Sequence, residues 1–166
     1  MVEGRGTTEI WTADQKRPHV FEWQQGSMFS IPLNCWHRIV NASSSPAPIL
    51  VATTAPNVMN IFRETDWIFN CPVAFPERFD GSADFFKPKD DIKPDPLRGL
   101  AMSKSNLIPD IMNGKLYLDN RRSPGYLRVE PSMANNVFYG FIGEHETGRY
   151  SKAHAHTSAA ILICLK

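Results

Sequence analysis

The chain has 166 residues and a mass of 18.7 kDa, a length that suits one domain. With 42% hydrophobic and 21% charged residues it has the composition of an ordinary globular protein, and a formal charge of +1 with no lysine- or arginine-rich block gives no electrostatic reason to expect nucleic acid or anionic lipid as partner. No apolar run approaches the roughly 20 residues needed to span a bilayer.

From the N-terminus, MVEGRGTTEIW lacks an apolar stretch flanked by basic residues, so no secretory leader is expected. Cys35, Cys71 and Cys164 are odd in number, scattered, and form no CxxC pair. They read as reduced thiols buried as small hydrophobes in a cytoplasmic protein.

Residues 1–62 alternate short β-type runs with turn chemistry. EIW, HVFEW, MFSI, HRIVN and PILVATTA are rich in β-branched and aromatic residues. DQKRP, QQG, PLN and ASSSPAP lie between them. Short strands punctuated in this way predict an antiparallel barrel or sandwich.

Residues 63–125 differ. CPVAFPERFDG, FFKPKDDIKPDP and NRRSPGY carry many prolines, which prevent long regular elements. Trp67, Phe69, Phe75, Phe79, Phe85 and Phe86 are interleaved with them. The segment is therefore expected to be an irregular connector that packs its aromatics onto something, with a short helix around 107–113. Asp90 and Asp91, among lysines and prolines, read as a solvated face, and RRSPG at 121–125 as an exposed turn.

Residues 126–166 return to strand chemistry, with NNVFYGFIGE and SAAILICLK as candidate strands. The chain stops at Lys166 inside an apolar run with no turn after it, which points to a fragment.

Two stretches carry candidate chemistry. In GSMFSIPLNCWHRIVN, residues 26–41, Gly26 permits a turn, Pro32 fixes φ, and Asn34 tolerates left-handed geometry. His37 then opens a strand on which it and Ile39 face one way, Arg38 and Val40 the other. In GRYSKAHAH, residues 148–156, His154 and His156 are two apart, so on a strand both imidazoles would reach one ion. His145, between acidic neighbours, reads as solvated or capping, and His19 has no ligand-like partner.

These stretches resemble the two signatures of the cupin family. The second signature runs glycine, five residues, proline, one, glycine, two, histidine, three, asparagine. Gly26, Pro32, His37 and Asn41 match it, with Asn34 in place of the middle glycine. The first runs glycine, five residues, histidine, one, histidine, then a glutamate. Gly148, His154 and His156 match, while Ala160 or Ile161 stands at the glutamate position. The order is inverted, as in a two-barrel cupin cut within each barrel.

The resemblance implies an all-β fold: jelly-roll cupin barrel halves joined by an irregular proline- and aromatic-rich connector. Residues 1–62 would be the C-terminal part of a first barrel, 63–125 the connector, and 126–166 the start of a second. It implies a divalent transition metal (Fe, Mn, Ni, Cu or Zn) with His37, His154 and His156 as metal ligands. The two halves closing on each other as a permuted single barrel would unite all three.

The implied function is that of a metal-dependent, dioxygenase-type cupin acting on a small organic substrate, loosely similar to the gentisate branch. A non-catalytic barrel that binds a small molecule or serves dimer packing is the alternative, favoured by the missing glutamate. A homo-oligomer is expected through exposed strand edges such as AAILICLK.

Overall fold

A computed structural model of the chain describes residues 1–90, 92–94 and 100–165. Strand outweighs helix, 23% against 9%, so the fold is mainly β. Asp91 and Lys166 lie outside the described residues.

The best-formed unit is a three-stranded antiparallel sheet in the order β2-β1-β4, built from β1 (Arg5–Trp11), β2 (His19–Gln24) and β4 (Trp36–Asn41). Strict alternation along RGTTEIW buries Gly6, Thr8 and Ile10 on one face, where Phe21 and Trp23 of β2 join them. On the opposite face Arg38 of β4 forms a two-pronged hydrogen-bonded pair with Glu9 of β1, both N–O distances being 2.9 Å. The register pairs Ile10 with His37, Thr8 with Ile39 and Gly6 with Asn41, so these β4 residues share the inner face.

Gly6 is required by close approach. A Cβ there would stand 2.0 Å from the Val40 carbonyl oxygen and 2.4 Å from the Trp23 indole. Two turn residues have the left-handed geometry that their types allow: Gly26 at φ 81° and Asn34 at φ 53°. The Asn34 side chain donates to the carbonyls of Cys71 and Val73, tying the 32–35 turn to the connector.

The connector supplies most of what covers the sheet. Phe79 and Phe86 join Ile10, Phe21, Cys35 and Leu107 in one cluster, with Phe29, Ile31 and Phe85 packed around it. Phe86 stacks on Phe21 with ring centroids 4.4 Å apart, and Phe79 meets His19 edge-on at 5.2 Å. Trp67 and Phe69, by contrast, remain exposed on α2 (Thr65–Asn70).

A short ladder, β3 (Met28–Phe29) with β7 (Leu107–Ile108), joins the N-terminal region to the connector. A second sheet runs β10-β9-β6-β5, with β8 also on β9. Its strands are β5 (Lys93–Pro94), β6 (Ala101–Ser103), β8 (Tyr117–Leu118), β9 (Leu127–Pro131) and β10 (Ile142–Glu144). The pairing of β6 with β9 is parallel, an exception in an otherwise antiparallel pattern. Strand pairings thus cross the expected boundaries near 62 and 125.

Several expectations are corrected. PILVATTA is irregular, and the chain then turns into helix α1 (Ala55–Phe62). Pro46 precedes the run and Pro48 opens it, Pro56 occupies the first helical turn, and Arg63 at φ 52° closes the helix. The 107–113 region holds β7 and a turn closed on Asp110 rather than a helix, with Pro109 between them. NNVFYGFIGE is strand only at Ile142–Glu144, and SAAILICLK has no regular structure among its described residues, where Ile161 and Leu162 lie open to solvent. Of the cysteines only Cys35 is buried; Cys164 is exposed.

Candidate metal centre

His37 sits at the start of β4, exposed, on the same face as Ile10. Its Nδ1 lies 3.3 Å from the Cys35 carbonyl oxygen, so that nitrogen donates and Nε2 carries the lone pair.

The histidine pair is positioned differently. After β10 the chain turns at Thr147–Gly148, where Gly148 has φ 79° and the Arg149 N–H donates to the Glu146 carbonyl at 3.0 Å. Two contacts fasten the next residues. His145 Nε2 and Ser151 Oγ are 2.9 Å apart, and the Lys152 N–H donates to the Arg122 carbonyl at 3.5 Å. His154 and His156 follow at once, in irregular chain rather than on a strand.

Their rings nevertheless lie together, with centroids 5.7 Å apart and planes inclined at 45°. His154 Nδ1 donates to the Lys152 carbonyl at 3.0 Å, and His156 Nδ1 to the Ser158 carbonyl at 2.6 Å. Backbone carbonyls at Nδ1 select the tautomer whose Nε2 is a donor to a metal, as outer partners of metal-ligating histidines do. Both rings are exposed, so the pair is open to ions and small molecules.

The structure brings His154 and His156 together and does not bring His37 to them. Among the described residues no group of three or more His, Cys, Asp or Glu side chains is placed to hold a metal ion. The two imidazoles are thus at most a partial donor set for a divalent ion, and the Ala160 and Ile161 side chains add no oxygen ligand.

A charged cluster that the sequence reading did not assign is centred on Arg128 and Glu130 of β9 and takes in Asp119 and Arg121. Arg128 and Glu130 are buried, with Arg128 Nη2 donating to Glu130 Oε1 at 2.5 Å. Arg128 Nε lies 3.1 Å from Asp119 Oδ2, and Arg121 Nε donates to Asp119 Oδ1 at 2.8 Å. Tyr139 donates to Glu130, and the Phe141 ring lies under the Arg128 guanidinium. Burial opposes ionisation of Asp119, but hydrogen bonds from Arg121 and the charges of Arg121 and Arg128 outweigh it and hold the carboxyl below its ordinary range. The usable signal was Arg128 and Glu130 two residues apart in a strand-like run, hence on one face.

His145, read as solvated or capping, is exposed to solvent, and it also stacks on Tyr126 at 4.3 Å and contacts Ser123 and Ser151 through its two nitrogens. A cleft of about 90 Å³ lies between β7 and the second sheet, lined by Lys89, Ser105, Leu107, Ile111, Lys115 and Val129. Of the two serines that line it, Ser105 donates its hydroxyl to the Leu107 carbonyl at 2.6 Å, and Ser103 Oγ accepts from the Ser105 N–H at 3.3 Å. No family model matches the chain, and no curated protein or solved structure is significantly similar to it.

Proposed function

We propose that this is a cupin-type β protein whose HAH segment binds a divalent transition metal, related to dioxygenase-type bicupins that act on a small organic substrate. The observation that carries this reading is the matched pair at His154 and His156: adjacent rings, each with Nδ1 on a carbonyl and Nε2 left as ligand. The left-handed Gly26, Asn34 and Gly148 support it, because the signature spacing asks for glycine-like turns there.

A metal held by these imidazoles supplies Lewis acidity toward a chelating substrate. The chain's own part is to fix the two ring tautomers and to keep the pair accessible. A second reading, a non-catalytic barrel that binds a small molecule, rests on the lack of a carboxylate at Ala160 and Ile161.

Metal analysis separates the two. Protein purified without added metal is compared with the His154→Ala, His156→Ala double variant. Near-stoichiometric metal in the parent that is lost in the variant supports the first reading, and oxygen-dependent cleavage of aromatic diols is then the activity to assay. Metal-free parent protein that also fails to take up Fe, Mn, Ni, Cu or Zn overturns it in favour of the second.

A further inference from the structure

Strand β4 is an open edge of unusual character. Among the described residues it pairs with β1 alone, and all six of its residues are exposed. Trp36, Ile39 and Val40 present apolar surface on its two faces. Edges that stay unpaired are normally guarded by charge, proline or a bulge. The single ordinarily charged side chain of β4, Arg38, is already neutralised by Glu9 on the neighbouring strand, at 2.7 Å. The other edge strand of this sheet, β2, carries the charge of Glu22.

We infer that β4 pairs antiparallel with β4 of a second copy, giving a two-fold dimer with one sheet running through both copies. The occupant follows from self-complementarity. A two-fold axis through Ile39 sets Ile39 against Ile39 of the second copy, His37 against Asn41, and Arg38 against Val40. Every residue keeps its face: His37, Ile39 and Asn41 stay inner, Arg38 and Val40 outer. Moving the axis to Arg38 would set two guanidinium groups directly opposite, which is unfavourable. Moving it to Val40 leaves Trp36, His37 and Arg38 outside the ladder. Charge and length thus select the Ile39-centred register, and each copy meets it with a neutral edge.

Sedimentation of the full chain over a wide concentration range, with two variants, tests this. Ile39→Lys sets like charges opposite each other on the axis and raises the dimer dissociation constant roughly tenfold or more. Val20→Lys, at an exposed position on the far strand β2, leaves it unchanged. Should Ile39→Lys fail to fold, Ile39→Cys in a Cys71→Ser, Cys164→Ser background gives the same information. Only a residue on the axis meets its own copy, so the Ile39→Cys chain forms a covalent dimer on mild oxidation and a Val40→Cys chain does not. A parent chain that stays monomeric at every concentration overturns the proposal. So does a dimer that survives Ile39→Lys and fails to cross-link in the Ile39→Cys variant, which would place the contact on another surface.

Discussion

Replacing Phe86 with alanine tests whether the connector is part of the core. Phe86 lies in the buried cluster, stacks on Phe21 at 4.4 Å, and meets Phe85 and Phe79 at 4.9 and 6.0 Å. Removing a buried phenyl ring costs its transfer free energy plus the cavity left behind, about 3–5 kcal/mol. Part of that loss is specific to the ring on β2. A double-mutant cycle with Phe21→Ala should return a coupling of about 0.5–1.5 kcal/mol, the worth of an aromatic pair beyond its buried area. Urea unfolding followed by tryptophan fluorescence measures both, because Trp11 and Trp23 lie in the sheet beneath the connector. The expected result is a lower midpoint with an unchanged denaturant slope. A destabilisation under about 1 kcal/mol, or zero coupling to Phe21, would refute the argument that the connector's aromatics close the sheet's inner face.

Three further outcomes follow from the buried charges and from Gly6. Arg128→Met leaves the buried carboxylates of Asp119 and Glu130 without their shared cation and should cost about 3–5 kcal/mol at neutral pH, with partial recovery as pH falls and the acids protonate; a pH series of thermal melts reads this. In the parent chain Asp119 has its carboxyl lowered on folding, so its contribution is present above the unfolded value and is lost as pH drops through the folded one; Asp119→Asn should flatten that acid limb. Gly6→Ala drives a methyl into the Val40 carbonyl and the Trp23 ring, so it should cost at least about 1–3 kcal/mol and weaken the near-ultraviolet circular dichroism of Trp23.

The N-terminal sheet was legible because its strands alternate cleanly and are bounded by turn residues. EIW, HVFEW and HRIVN all lie in strands, and the inner placement of His37 and Ile39 follows from period-two geometry alone. PILVATTA misled because β-branched residues signal a strand only if a partner is within reach, while Pro56, just beyond the run, offers a helix start. The same limit applies to SAAILICLK, where apolar character is plain and no ladder partner stands beside it among the described residues. The aromatic packing of Phe79 and Phe86 could be anticipated from composition, but not that Trp67 and Phe69 would stay outside; that depends on which parts of the connector reach the sheet.

The site was legible to the extent that its chemistry is local. A two-residue spacing brings His154 and His156 within 5.7 Å although the expected strand is absent, since any chain that doubles back on its own carbonyls can gather neighbours so close in sequence. The reason given by a strand was wrong in form and still right about proximity. A full ligand set is a different matter, because a third or fourth donor must arrive from a distant segment, and spacing within one motif says nothing about that arrival. The buried cluster shows the same division. Arg128 and Glu130 share a face by spacing, but Asp119 completes the network from beside β8, and only strand pairing puts it there. Local motifs therefore identify which donors this chain offers, and the pairing of its edges, β4 above all, determines what those donors can meet.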